Sequence, residues 1–322
     1  MKNVIFGASG QDGHFLTSLL HQRGETIVGV FPSGRANKLS PSTEGKLSNK
    51  YYIDFQDGKE LGYLLRKVSP DKIFNLAGFS SVHRSFVEAQ ECFSINFLFF
   101  ERLLSAVRNN LSNKPPHIFH CSSSEMYANS PDSFIDESSE MKPISPYGIS
   151  KTASQHLAEV YREAYGLPVS TGILFNHESE LRTSTYFSGK AVSGVVDIYL
   201  GAATELPLQS LNFSRDWSYA EDVVQAMHLI SSLDNPSDFI VASGKLRSGR
   251  DFINEAFTYL GIDEDWERFL TQSSAETRPL DHQGKVGNFK KLNLATGWVP
   301  KTEFSKMIAK MIDSELKRRS RE

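Results

Sequence analysis

Cysteine is nearly missing from this chain of 322 residues, which holds only Cys92 and Cys121. Two thiols build neither a metal cluster nor a disulfide framework, so no metal site is expected. Both read as reduced core residues of a cytoplasmic protein. Also missing is an apolar run of about 18 residues, the length a bilayer-spanning helix needs. Strand-like residues begin at Val4, so no targeting segment is expected ahead of the fold. Charge of one sign has little surplus: 35 Lys+Arg stand against 38 Asp+Glu, a net of −3. That balance gives no reason to expect nucleic acid or a membrane surface as partner. The one dense positive run, Lys317-Arg318-Arg319-Ser320-Arg321, reads as a solvated helix end. Neither an internal repeat nor a low-complexity segment is evident. What remains is an ordinary globular composition, 39% hydrophobic and 23% charged, long enough for one or two domains.

Against that plain background the first 30 residues carry a pattern. Val4-Ile5-Phe6 is a short apolar run, followed at once by Gly7-Ala8-Ser9-Gly10-Gln11-Asp12-Gly13. A helical pattern then runs from His14 to Arg23, with Phe15, Leu16, Leu19 and Leu20 on one face, and residues 26–30 form a second strand. Strand, glycine turn, helix and strand in that order is the context of a dinucleotide-binding turn. Glycines let the backbone approach a pyrophosphate, which then sits on the helix N-terminus. The second strand runs into Phe31-Pro32-Ser33-Gly34-Arg35, with no acid to hold a ribose 2′-hydroxyl. Ser33 and Arg35 argue instead for a 2′-phosphate, hence NADP rather than NAD. Asp54, ending a third strand, is placed to accept from an adenine amino group.

Strands and helices keep alternating. Residues 72–78 form a fourth strand running into a small-residue loop. Residues 86–110 read as one long helix, apolar nearly all round, which is either sandwiched in the core or shared with a second subunit. His117 to Cys121 is a fifth strand, and Ser122-Ser123-Ser124-Glu125 lies at its C-terminal end, where open parallel sheets bind ligands. Pro146 then opens a helix at the position where its missing N–H costs nothing. Tyr147 and Lys151 are four apart on it and so share a face. A cation one turn from a phenol favours the phenolate, which suits Tyr147 to acid/base work. After a sixth strand ending at Phe175 the rhythm loosens, through helices at 186–199 and 219–233, an extended stretch at 208–217, a strand at 239–242 and a helix at 251–260. A final amphipathic helix carries Phe304 to Leu316. The expected fold is α/β: a Rossmann-like doubly wound parallel sheet over residues 1–176 with a smaller C-terminal α/β substrate-binding lobe over 177–322. The two interleave, some later segments returning to the sheet. Arg182, Lys190, Arg215, Arg250 and Arg278 are the lobe's spaced cations, which would suit a diphosphate if they converge on one cleft.

Taken together, the glycine turn, Ser123-Ser124-Glu125 and Ser145-Pro146-Tyr147-Gly148-Ile149-Ser150-Lys151 resemble an extended short-chain dehydrogenase/reductase. Residues 161–167 and 172–179, ending in Phe175-Asn176-His177-Glu178-Ser179, narrow the resemblance to the GDP-mannose 4,6-dehydratase family. So do Arg215-Asp216-Trp217 and Arg278-Pro279. The resemblance implies that Tyr147, helped by Lys151 and Ser123, takes the proton of a sugar C4 hydroxyl while C4 hydride passes to NADP. Glu125 would then remove the C5 proton and return it to the departing C6 hydroxyl, before hydride comes back to C6. It also implies that Gly7, Ser9, Gly10, Gln11, Asp12, Gly13, Arg35, Asp54, Phe55, Leu76, Ala77, Gly78, Ser80, Tyr147, Lys151, His177 and Arg182 touch NADP. Ser85, Ser123, Glu125, Asn176, Glu178, Lys190, Arg215 and Arg278 would face the nucleotide sugar. A homodimer through residues 86–110 and 146–164 is implied, with a tetramer as an extension. The chain departs from the family's pattern at Pro32-Ser33, Glu91, Glu180-Leu181 and Gly189. Other expectations stand beside the dehydratase: a 4-keto-6-deoxy-sugar reductase or epimerase, a dehydratase of another GDP-linked sugar, or a non-catalytic NADP-binding regulator. The last would be expected to lose Tyr147 or Lys151, and the chain keeps both.

Overall fold

A computed structural model describes residues 1–34, 39–262, 265–272 and 279–321, so Arg35 and Arg278 lie outside the described residues. Seven strands form one sheet: β1 (Lys2–Phe6), β2 (Thr26–Pro32), β3 (Asn49–Ile53), β4 (Lys72–Asn75), β5 (His117–Ser123), β6 (Val169–Leu174) and a late strand, Asp238–Val241. Every pairing between them is parallel. Their order across the sheet is Asp238–Val241, β6, β5, β4, β1, β2, β3, reversing direction at β1 and β4. The inner strands are buried along nearly their whole length because both faces are covered, whereas the edge strand β3, Asn-Lys-Tyr-Tyr-Ile, is largely exposed. On one side Leu61 and Leu65 of α2 (Gly58–Val68), Phe100 and Leu104 of α3 (Phe99–Asn110) and Ala158 and Tyr161 of α4 (Pro146–Tyr165) pack on Val4, Phe6 and Ile118. On the other, Leu16 and Leu20 of α1 (Gln11–Gln22) and Val223 and Met227 of the helix Ala220–Ile230 pack on Ile5, Phe74 and Phe119.

A third core lies beyond the sheet. It gathers α5 (Phe187–Tyr199), the helices Gly249–Tyr259 and Phe304–Arg319, and the strand Ser214–Tyr219. Trp217 is its centre, with the rings of Phe213, Phe252 and Phe304 between 5.5 and 6.1 Å away. Ser214–Tyr219 also pairs with the short strand Asn176–Glu178, in parallel, and so touches the end of the main sheet.

Three expectations change. The single helix expected over 86–110 starts later: Ser81 caps a short helix Val82–Ser85, and the long helix runs without interruption from Ala89 to Asn110, with residues 94–98 as a π turn leading into α3. The extended stretch at 208–217 is two separate strands, Leu206–Leu208 and Ser214–Tyr219. The basic tail is not wholly solvated, because Arg319 bridges Glu315 and, across to α5, Asp197.

Asp216 knots this region. Its carboxylate is 1% exposed and accepts from the backbone N–H of Ser243, Gly244 and Gly287 at 2.7, 2.9 and 3.1 Å. Burial pushes its carboxyl up, and the Ser243 hydroxyl and backbone donors pull it back only in part. Asp216→Asn keeps the shape but turns one acceptor into a donor facing N–H groups. It is expected to cost about 1–3 kcal/mol, read as a lowered urea midpoint with an unchanged slope.

Candidate active site

The glycine turn joins β1 to α1 where the strand order reverses, the place at which such sheets bind ligands. Gly7 has φ +89°, and a Cβ on it would lie 2.7 Å from the Ala77 nitrogen. Gly13 is closed in as well, its Cβ position being 2.4 Å from the Gly7 carbonyl oxygen. Gly10, exposed like Ser9, meets nothing nearer than that oxygen at 3.5 Å. Gly7 therefore seats the turn against the loop after β4, Gly13 lets the start of α1 close onto the turn itself, and Gly10 keeps the outer face open to a close ligand. Gly10 is also the N-cap of α1 and offers no side chain to the first-turn N–H groups.

After β4, Leu76 N–H donates to the Phe6 carbonyl at 2.9 Å, so residues 76–78 continue along β1. A Cβ on the exposed Gly78 would stand 3.8 Å from Lys151 Nζ, which places that loop over the Tyr147 helix. Ser80 lies further out, its hydroxyl 2.7 Å from that of Tyr186. Beyond β3, Asp54 is exposed and accepts from Gln56 N–H, whereas Phe55 stacks on Phe99 at 4.2 Å.

Tyr147 stands in the first turn of α4, behind Pro146 and with Ser145 accepting from Gly148 N–H at 3.0 Å. The Ser123 hydroxyl, at the end of β5, hydrogen-bonds to its phenol and also accepts from Glu125 N–H at 3.3 Å. Lys151 Nζ is 5.9 Å from the Tyr147 ring centroid and donates to the Cys121 carbonyl at 2.8 Å. Ser123, Glu125, Tyr147 and Lys151 are thus brought together. One expectation fails: the phenol is not drawn towards its anion. Burial pushes Tyr147 well above the usual phenol range and the Ser123 bond offsets only part of it, while burial pushes the Lys151 ammonium down. Helical spacing placed the cation correctly, but desolvation outweighs it.

Ser85, expected to face the sugar, is fully buried. Its hydroxyl donates to the Val82 carbonyl at 2.6 Å and accepts from Tyr147 N–H at 3.2 Å, so it seats the start of α4 from beneath.

A second network ties the glycine turn to the strand Asn176–Glu178. His177 Nε2 meets the Asp12 carboxylate at 3.1 Å, Gln11 Nε2 donates to the His177 carbonyl at 3.2 Å, and Arg182 binds Glu178 at 2.6 Å. Burial alone would raise Asp12 and lower His177, but their mutual charge reverses both shifts, leaving an ion pair. Asn176 is half-buried beside them, and Lys190 lies on the first turn of α5. The spaced arginines do not converge as free cations. Arg215 pairs with Asp281 at 2.5 Å, Arg182 is held by Glu178, and the exposed Arg250 pairs with Glu267.

Two residues of this site escaped the sequence reading. Asn96, in the π turn, is 1% exposed and donates to Ser150 Oγ at 3.0 Å while accepting from Phe79 N–H at 2.8 Å. A lone amide in the run Ser94-Ile95-Asn96-Phe97-Leu98 was the available signal. His282 places Nε2 3.5 Å from Glu125 Oε1, and nothing in its sequence surroundings marked it. Among the described residues no helix is long and apolar enough to cross a membrane, and no His/Cys/Asp/Glu group could hold a metal.

Known proteins resemble this chain along nearly its whole length. The family model described as GDP-mannose 4,6 dehydratase matches residues 4–311. GDP-mannose 4,6 dehydratase 1 of Arabidopsis thaliana is 32% identical, over 99% of this chain and 91% of its own length. The fold is similar to that of the UDP-glucose 4-epimerase of Thermus thermophilus in complex with NAD, with a TM-score of 0.82 at 22% identity over 98% and 99% of the two chains. RMD from Pseudomonas aeruginosa, complexed with NADPH, gives 0.79 at 21% identity over 99% and 100%. With a match that runs through the glycine turn, the Ser123–Glu125 strand end and the Tyr147 helix alike, this chain belongs to the GDP-mannose 4,6-dehydratase family.

Proposed function

We propose that the protein converts GDP-mannose to GDP-4-keto-6-deoxymannose with loss of water, as an NADP-dependent hydro-lyase. The observation that carries this reading is the meeting of Glu125 with Ser123, Tyr147 and Lys151 at the end of β5, in a chain of this family. The open face at Gly10 and the uncapped start of α1 fit a dinucleotide pyrophosphate, and the exposed Gly78 leaves room for it beside Lys151. A nicotinamide held there supplies a hydride acceptor for C4 and a donor for C6. Arg35 is the residue that would select NADP over NAD. Asn176, with Glu178, Lys190 and Arg215 of the 177–322 lobe, would hold the nucleotide sugar.

Within this reading Tyr147 accepts the C4 hydroxyl proton through the hydrogen bond it shares with Ser123. Its raised proton affinity makes it a strong base once ionised, and the Ser123 hydroxyl offsets part of the burial that suppresses that form. The 4-ketone acidifies C5–H. Glu125 takes that proton and passes it to the C6 oxygen as the C6–O bond breaks, releasing water. As C6 is reduced, C5 takes a proton drawn from solvent, and Tyr147 releases the C4 hydroxyl proton to solvent, so the only net loss from the sugar is water. Exposed apolar residues on the α4 side, including Ile149, Val160 and Tyr165 at 47–50% exposure, support pairing of two subunits there.

The test is incubation with GDP-mannose and NADP in deuterated water. The expected product is a 4-keto-6-deoxy sugar carrying one solvent deuterium at C5, with no net nicotinamide change. Water retained in the sugar, or NADPH consumed by an added 4-keto sugar, would sink the dehydratase reading. Tyr147→Phe should lose about 10²–10⁴-fold in C4 oxidation.

A further inference from the structure

His282 stands over the carboxylate that the proposed mechanism uses for elimination. Its Nε2 is 3.5 Å from Glu125 Oε1, and the two side chains are only 8% and 12% exposed. The other ring nitrogen, Nδ1, lies 2.8 Å from the Gln283 carbonyl oxygen. A carbonyl only accepts, so Nδ1 carries a proton. An attractive contact between Nε2 and a carboxyl oxygen then needs one further proton, on Nε2 or on Glu125.

The ring is delivered by an anchored strap. Residues 286–287 pair with 134–135, Lys285 Nζ donates to the Ser130 and Asp132 carbonyls at 2.6 and 2.8 Å, and Gly287 N–H donates to Asp216. Gly284 lies so close that a Cβ would sit 2.6 Å from the Ser214 carbonyl oxygen. Arg215 completes the hold, binding Asp281 at 2.5 Å and reaching the His282 carbonyl at 3.4 Å. Among the described residues, Arg215 and Asp281 next to His282, and Tyr147 with Lys151 on α4 next to Glu125, are charged or titratable groups that face the pair.

We infer that His282 is the positioning residue of Glu125: it keeps the shared proton on Nε2 while Glu125 is the carboxylate base, and orients that carboxylate for C5–H. The inference rests on the reading of Glu125 as the elimination acid/base. No proton is created or lost by the pairing. Glu125 gains one from C5 and gives it to the C6 oxygen, and the Nε2 proton stays in place.

The pair and the activity are tested separately. In 15N-imidazole spectra of the full chain, the Nε2 resonance of His282 should move on Glu125→Gln, with Nδ1 little changed. An unmoved Nε2 overturns the pairing whether or not GDP-mannose is turned over, and a moved Nε2 in a chain that leaves GDP-mannose untouched upholds the pair and discards the dehydratase reading. In turnover, His282→Ala should lower kcat about 10-fold or more, with KM for GDP-mannose within about 2-fold. Without the facing ring, the acid limb of elimination should move to higher pH by about 1 unit. The rate of the first nicotinamide reduction in a single turnover should stay that of the unaltered chain, and His282→Gln, which retains a donor, should restore part of kcat. A pH profile of His282→Ala that superimposes on the parent's would overturn the role.

Discussion

Glutamine in place of Glu125 should leave an enzyme that oxidises its sugar at C4 and stops there. The amide matches the carboxylate in size but cannot accept the C5 proton. Elimination should fall about 10²–10⁴-fold, equivalent to about 3–5 kcal/mol of lost barrier reduction. The C4 step is spared because the hydrogen bonds that hold its groups do not involve that carboxylate, whose charge only adds to the rise of the Tyr147 phenol. Ser123 accepts from the backbone N–H of residue 125, not from its side chain, and Lys151 is held by the Cys121 carbonyl. Rapid mixing with GDP-mannose should therefore show reduced nicotinamide building to a plateau near one equivalent per site, and no deuterium should enter C5 from solvent. Unaltered turnover with deuterium at C5 would remove Glu125 from the role. Tyr147→Phe acts earlier and should show neither plateau nor exchange, so the two variants assign the two halves of the reaction to different residues.

Which parts of this site a reader of the sequence can recover depends on how far apart the interacting residues are. The glycine turn and the Tyr147–Lys151 pair are local, and the backbone geometry that joins them follows from spacing alone. The sheet is legible too, because inner strands covered on both faces carry apolar cores such as Val4-Ile5-Phe6 and Ile118-Phe119. Long-range partners are not. His282 reaches Glu125, and Arg215 is taken by Asp281, across contacts that no periodicity records. Burial is the other hidden quantity. It turns the inviting hydroxyl of Ser85 inward, and it reverses the expected effect of Lys151 on the Tyr147 phenol. Asn96 lies between these cases: the chain shows an amide among apolar neighbours, but only the π turn shows that it ties the Phe79 loop to α4.

Acid should unfold this protein well before its carboxylates are titrated. Burial pushes His117 and His228 down to about 4, with the nearby Lys72 ammonium adding to it. His120 goes the same way. It is 1% exposed and stacked 3.7 Å from Phe100, and its Nε2 has no hydrogen-bond partner among the described residues. A group with a depressed folded-state pKa contributes stability that is complete above its unfolded value and drains away as pH falls towards the folded one. For these histidines the window runs from about 6.5 down to about 4. Inside it the unfolded chain holds protons that the folded chain refuses, at about 1.4 kcal/mol per pH unit for each histidine. Three such groups give a slope of about 3–4 kcal/mol per unit, steep against a total stability of about 5–15 kcal/mol. The buried acids Glu137 and Asp216, which burial raises, work the other way from their usual values upward and offset part of that slope, and the Asp12–His177 pair is lost only when Asp12 protonates. The urea midpoint should accordingly collapse between about pH 6 and 4.5. Replacing both His117 and His228 by glutamine should flatten that slope by more than half while leaving the midpoint at pH 8 nearly unchanged or modestly lowered. A slope as steep as the parent's would show that other groups carry the acid transition.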